Sequence, residues 1–440
     1  MRRFWLFVLA LVLVLSGCLP PERTTSPAVS QTPASARLPT VPPEASAPVV
    51  REEAPEVSDA ELAELVVGNT RFALDLYRLL AQGDGNLFYS PYSVSQALAM
   101  AYAGARDETA AQMAETLRFS LDDERLHAAM NALDQLLASR AENLGHQEGT
   151  GFRLEVANAL WGQEGYAFRE EFLEALARHY GAGMHLVDYA RDPEAARVRI
   201  NAWVLEQTEG RIENLLAPGT VDTLTRLVLA NAIYMKASWQ SPFDPANTAD
   251  GAFTLTNGDQ VTVPMMRQTA RFALRRDSDF VAVELPYIGH QLRMTILMPN
   301  VGALEGFEQD LDAERLAEIL GGLESVELRL IMPKLRVESE FGLGDALQSL
   351  GMTDAFTPGA ADFSGMDGAR DLFIGAVVHK AFVDVDETGT EAAAATAVVM
   401  AAGAMPGKPQ EVTIDHPFLF LIRDQGTGAV LFVGRVVDPS

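Results

Sequence analysis

Apolar positions recur at helical spacing through the first part of the chain and predict helices over 60–80, 93–102, 109–117, 124–140 and 170–180. Further along the period shortens. Runs rich in Val, Ile, Leu and Phe predict strands over 227–235, 281–286, 293–298, 326–333, 382–385, 412–414, 418–422 and 430–436. Helices gathered in one part and strands in another predict an α+β fold, not a doubly wound one, and no internal repeat interrupts the arrangement.

One stretch resists both templates. Residues 383–417 read VDVDETGTEAAAATAVVMAAGAMPGKPQEVTIDHP, strand-like at either end with small residues between. Alanine is the best helix former and a poor strand former, so Ala392, Ala393, Ala394 and Ala395 favour helix on propensity. Gly389 precedes them, and Val398 and Val399 follow. A segment that suits loop, helix and strand alike is suited to changing state.

Upstream of Ser58 the pattern fails differently. The chain begins MRRFWLFVLALVLVLSGCLPP: two arginines, an apolar run over 4–15, then small residues. That run is short for a bilayer span and its flanks are those of an export signal. Leu15-Ser-Gly-Cys18 resembles a bacterial lipoprotein signal, which implies lipidation of Cys18 with more than one acyl chain, enough for stable anchoring. On that reading 1–17 is the signal peptide and 18–57 the lipidated cysteine and a tether. From residue 19 to 57 the chain is rich in Pro, Ser, Thr and Ala and lacks aromatics, so it cannot bury enough apolar surface to order itself. It would reach roughly 35 Å as a flexible coil, or up to about 120 Å as polyproline. The folded domain is expected over 58–440. The expected location is a bacterial membrane facing the periplasm or the extracellular space, and Leu19, where an aspartate would favour the inner membrane, points outward.

Composition narrows the partners. Of 440 residues 48% are apolar and 21% charged, a packed globular chain with a net charge of −26, which argues against nucleic acid. Cys18 is the sole cysteine, which excludes disulfides within the domain and thiol catalysis. No nucleophile elbow, zinc-protease helix, phosphate loop or dinucleotide fingerprint is found. The histidines at 127, 146, 179, 185, 290, 379 and 416 lack metal-ligand spacing, so no metal or cofactor is expected. His379 and His416 lie in apolar strand-like contexts, where a satisfied core histidine is the plainer reading than a catalytic one.

Several separate motifs then carry a family resemblance. They are Asn86-Leu-Phe-Tyr-Ser-Pro-Tyr-Ser93 with the small-residue helix to Gly104, Leu229-Ala-Asn-Ala-Ile-Tyr-Met-Lys-Ala-Ser-Trp239, and Val263-Pro-Met-Met266. Met332-Pro-Lys-Leu335, Leu350-Gly-Met352, Phe363-Ser-Gly365, His379-Lys380, Asp415-His-Pro-Phe418 and Phe432-Val-Gly-Arg435 follow. In this order they resemble the serpins, a family of serine-protease inhibitors, over essentially all of 58–440. The resemblance implies the serpin fold, with three β-sheets, about eight or nine helices and an exposed reactive-centre loop from Glu387 to about Gly403. It implies no enzyme. The loop would be offered to a protease as substrate and, once cut, would insert into the main sheet and trap the acylated protease.

Insertion demands small or apolar residues on the inward face. Alternation from Thr390 places Thr390, Ala392, Ala394, Thr396, Val398, Met400 and Ala402 inward, and the only charge, Glu391, outward. Counting along the family's loop puts the reactive bond at Gly403-Ala404, with Met400, Ala401, Ala402 and Met405 as alternatives. These suit an elastase-like or subtilisin-like serine protease; a cysteine protease shares the acyl chemistry. The resemblance further implies a loop hinge over Glu387, Gly389 and Thr390 to Thr396, a sheet-opening cluster of Ser90, Ser93, Asn231 and His379, and Trp239 with an exposed Glu387–Lys334 pair where the loop inserts. Residues 121–152 carry no basic cluster, so no heparin-like cofactor is expected. A monomer is expected. The alternative is a non-inhibitory serpin acting as a surface binding or structural lipoprotein.

Overall fold

The helical part starts where an N-cap is available. Ser58 and Glu61 form a reciprocal capping box at the head of the first helix, and Arg125 grips the Glu61 carboxylate at 2.5 Å. That guanidinium, with Ser58, holds the Glu61 carboxyl at about 2.

The computed structural model describes residues 44–142, 153–390 and 409–440. In chain order these form β1 (Glu44–Ala45), α1 (Asp59–Leu80), β2 (Leu87–Tyr89), α2 (Pro91–Tyr102), α3 (Asp107–Leu117), α4 (Asp123–Glu142), β3 (Arg153–Gln163), α5 (Glu170–Tyr180), β4 (Met184–Val187), α6 (Pro193–Gln207) and β5 (Leu227–Ser238). Next come β6 (Ala249–Thr254), β7 (Gln260–Arg276), β8 (Phe280–Pro286), β9 (Leu292–Pro299), α7 (Leu304–Asp310), α8 (Ala313–Gly321), β10 (Glu324–Pro333), β11 (Leu335–Gly342), α9 (Gly344–Ser349) and α10 (Ser364–Asp367). The chain finishes with β12 (Ile374–Val385), β13 (Gly389–Thr390), β14 (Gln410–Thr413), β15 (Phe418–Asp424) and β16 (Val430–Val436).

Among the described residues the strands make two sheets. One has seven strands in the order β1-β4-β3-β5-β13-β12-β11, and β5 also pairs directly with β12. The other has nine strands, running β14-β10-β7-β8-β9-β15-β16-β2 with β6 on β7. The α+β class is as expected. In place of three separate sheets, the strands of the third are bonded into the nine-stranded one, because β7 runs unbroken for 17 residues and pairs β6, β10 and β8. Among the described residues there are ten α-helices, against the expected eight or nine, the shortest being the four-residue turn at Ser364.

Helix α2 packs on β3 and β5 of one sheet and on β16 of the other, so residues on every side of it are buried. That position explains its small, uncharged composition. Helix α6 covers the opposite face of the seven-stranded sheet, where Ala196, Ile200 and Val204 meet Trp161, Val228 and Ala230. Along its central seam β5 and β12 run parallel, from Leu227 opposite Ile374 to Tyr234 opposite Phe382.

The tether expected to reach residue 57 is replaced over 44–57 by chain packed on the domain. Glu44 and Ala45 pair with His185 and Met184 of β4, and Arg51 binds Asp134 of α4 at 2.6 Å. Composition missed this because the contacts are made by backbone, by one arginine and by the scattered apolar side chains Ala45 and Val57, not by a continuous apolar stripe. Cys18 and the remaining signal and tether residues lie outside the described residues.

Candidate functional site

The site is the seam between β5 and β12. At one end, which we call the mouth, β13 is already lodged between them: Thr390 is opposite Ala237 of β5 and Val385 of β12, and Gly389 is opposite Ser238. Gly389 allows this by its size, since a Cβ there would lie 2.1 Å from the Ala237 carbonyl oxygen. Thr390 is 1% exposed, and its hydroxyl bonds to that of Tyr287 at 2.8 Å.

A tight turn delivers the chain to the mouth. The Asp386 carboxylate accepts from the Thr388 amide and hydroxyl at 2.7 and 2.6 Å, and the Asp386 amide donates to the Gly389 carbonyl at 2.9 Å. Trp239 donates its ring N–H to the Asp386 carbonyl and its amide to the Thr388 carbonyl, at 3.0 and 2.9 Å. Its ring stacks on Tyr287 with centroids 4.6 Å apart. Lys334 meets Glu387 at 2.7 Å, and the Thr248 hydroxyl donates to the same carboxylate at 2.6 Å. Only one side of this pair is exposed as expected: the Lys334 side chain is 38% exposed, whereas that of Glu387 is 8% exposed. Burial pushes the Glu387 carboxyl up, and the bonds from Lys334 and Thr248 outweigh it, leaving the group below its usual range.

Midway along the seam lies a polar network in which Ser90, Ser93, Asn231 and His379 are shut off from solvent and Asn158 is half-buried. The Ser90 amide donates to Nε2 of His379 at 3.0 Å, so Nδ1 carries the proton and donates to Oδ1 of Asn231 across the β5–β12 pair. The Asn231 amide reaches the Ser93 hydroxyl at 2.6 Å and also Asn158 of β3, whose own amide continues to Gln96 at 2.8 Å. Burial holds His379 neutral by lowering its pKa to about 3. Ser90, Ser93, Asn231 and His379 are thus brought together as one cluster. His416 lies apart from it, bonded to Asp415 and to the Pro299 carbonyl at 2.8 Å each.

Members of the site not singled out from the sequence include Asn158 and Gln96 in the network and Tyr287, Thr248, Asp386 and Thr388 at the mouth. For Asn158 a signal existed. Ala157-Asn-Ala-Leu-Trp161 repeats the pattern of Ala230-Asn-Ala-Ile-Tyr234, and the sheet register sets the two asparagines opposite each other. The hinge residues Glu391, Ala392, Ala393, Ala394, Ala395 and Thr396, the reactive bond Gly403-Ala404 and its alternatives at Met400, Ala401, Ala402 and Met405 lie outside the described residues.

Comparison with known proteins now identifies this geometry. The model of the family described as Serpin (serine protease inhibitor) matches residues 67–439. The chain is a serpin. Human leukocyte elastase inhibitor is similar at 41% identity over 389 residues, covering 86% of this chain and all of that protein. An uncharacterized serpin-like protein of Thermococcus kodakarensis is 39% identical over 447 residues and spans both chains completely. Among solved structures, uncleaved ovalbumin superposes with a TM-score of 0.75 at 28% identity, covering 86% of this serpin and all of ovalbumin. The thermophilic serpin tengpin in its native state gives 0.77 at 26% identity, over 90% of this chain and 97% of tengpin. Membership of this family makes protease inhibition, not catalysis, the coarse function.

Proposed function

We propose that this serpin is a suicide-substrate inhibitor that traps a serine protease as a covalent acyl complex. The protease nucleophile adds to the carbonyl carbon of a loop peptide bond, the C-terminal side leaves as a protonated amine, and an ester joins protease to loop. The cleaved loop then inserts from Thr390 onward. About fifteen residues at about 3.3 Å each give an inserted strand on the order of 50 Å long, enough to carry the protease to the far end. The observation that carries this reading is the buried Thr390, already paired on both sides between β5 and β12. The uncharged inward set after it and the reactive bond at Gly403-Ala404 suit a protease with a small apolar pocket, elastase-like or subtilisin-like. The name of the human relative supports that class. Cys18 serves as a lipid anchor outside a bacterial cell, a reading supported by the signal-like sequence before it.

The test mixes the protein with elastase-type and subtilisin-type proteases and looks for a complex that survives denaturant. Mass spectrometry of the released C-terminal peptide identifies the bond. Clean cleavage without any complex across a broad panel ends the inhibitory reading.

A further inference from the structure

We infer that a cleft where β16 ends, beside α7 and the turn after α1, binds an aliphatic diamine or polyamine, one ammonium held inside on Glu308 and a second at the rim. This goes beyond the inhibitory reading and involves no movement of the loop. The cleft has a volume of about 470 Å³, within the range of small-molecule sites. Leu255 of the β6–β7 turn, Val301 and Leu304 on the way into α7, Pro417 and Val437 give it an apolar wall. Val301 is 69% exposed and stands at its edge.

Glu308 supplies the inner polar group. Its side chain is 12% exposed. Oε1 accepts from the Tyr77 hydroxyl at 2.5 Å and faces Arg435 at 3.7 Å. Oε2 has no partner among the described residues and is not sealed from solvent, so it opens on the cleft that Glu308 lines. Burial pushes the Glu308 carboxyl above its ordinary range, and Tyr77 and Arg435 do not fully offset this. The inner end of the cleft is therefore short of positive charge.

The remaining groups narrow the ligand. Arg435 gives its donors to backbone: Nε to Gly85 at 3.2 Å, Nη1 to Ala81 at 2.8 Å, and Nη2 to Gly85 at 2.7 Å and to Gly83. Both ring nitrogens of His416 are engaged, by Asp415 and the Pro299 carbonyl. An anion thus finds no free donor from either, whereas Oε2 of Glu308 is an acceptor awaiting one. A bare metal ion is not served, since among the described residues no three carboxylate, imidazole or thiol groups are placed to hold it. An ammonium on a methylene chain satisfies both the carboxylate and the apolar wall. Asp84 and Glu305, both exposed, line the same cleft and offer a second ammonium its partner at the rim.

The experiment is calorimetric titration of the full chain with 1,5-diaminopentane, 1-aminopentane and pentanoate at matched ionic strength. The diamine is expected to bind saturably, the monoamine about tenfold more weakly or worse, and pentanoate not at all. Glu308→Gln keeps an acceptor for Tyr77 but removes the charge, and is expected to weaken both amines about tenfold or more. Glu305→Lys, at an exposed position, is expected to weaken the diamine more than the monoamine. Absence of saturable diamine binding overturns the proposal. So does parent-like affinity in Glu308→Gln, which would mean that the diamine merely collects on an acidic surface. Should circular dichroism show Glu308→Gln unfolded, Glu305→Lys decides, and parent-like diamine affinity in it overturns the proposal equally.

Discussion

The mouth of the seam and its middle are built in opposite ways. At the mouth the sheet is already parted, and the wedge is held by a short backbone ladder, one hydroxyl pair and the Trp239 turn. In the middle β5 and β12 are in direct contact, and Asn231 and His379 bridge them with Ser93 and Asn158 fastened behind. On the insertion reading, a loop can therefore start to enter without opening anything. It cannot proceed without breaking a buried side-chain network, so resistance is concentrated in a few bonds.

The strongest way to break that contrast is Thr390→Arg. A guanidinium at a 1% exposed position costs several kcal/mol, so the wedge is expelled and the inhibitor becomes a substrate. The expected readout is complete loss of denaturant-stable complex with loop cleavage retained; an undiminished complex yield would show that insertion does not begin at the mouth. Next in size is Asn231→Ala, which orphans the His379 Nδ1–H and unpairs part of Asn158 and Ser93. Urea unfolding should register a loss of roughly 2–4 kcal/mol, and a loss well under that would relocate the resistance elsewhere.

Acid probes the middle without mutation. His379 is held neutral down to about 3 in the folded protein, whereas in the unfolded chain it titrates near about 6.5. Between those values only the unfolded chain binds the proton, so stability is present above about pH 6.5 and falls as pH drops, by about 1.4 kcal/mol per pH unit from this group. His179, lowered to about 4 by burial and by the neighbouring His127 and Arg178, adds a smaller contribution of the same sign. Unfolding between pH 7 and pH 4 should be less steeply pH-dependent in His379→Gln than in the parent. The smallest effect is expected at the mouth: Tyr287→Phe removes one hydroxyl bond, about 1 kcal/mol, and should raise amide exchange at Thr390 with little change in melting temperature.

Much of this was legible in the sequence where a residue's role is local. The domain start at residue 58, the helices under the sheets and the strands with one apolar register follow from pattern alone. Strand β7 did not, because it changes partners along its length and no single face stays buried. Helix α6 was missed because it buries a narrow line at Ala196, Ile200 and Val204, which leaves too faint a stripe. The network at His379 came from a resemblance; bottom-up, that histidine read only as a satisfied core residue, since its partners come from α2 and β5, far away in sequence. Tyr287 and Thr248 carry no local signature at all. Their significance comes from what the fold sets beside them.

The direction of β13 has one more consequence. It runs antiparallel to both of its neighbours, whereas β5 and β12 are parallel to each other. Each further residue laid between them exchanges one slanted ladder for two straighter and slightly stronger ones. On the insertion reading, the uncut molecule is therefore not at its thermodynamic floor, and its shelf life is a rate, not an equilibrium constant. On that same reading, a molecule that has taken up its loop would not be recharged by removing the protease, and capacity against a protease would be set by fresh synthesis, one chain for each enzyme captured.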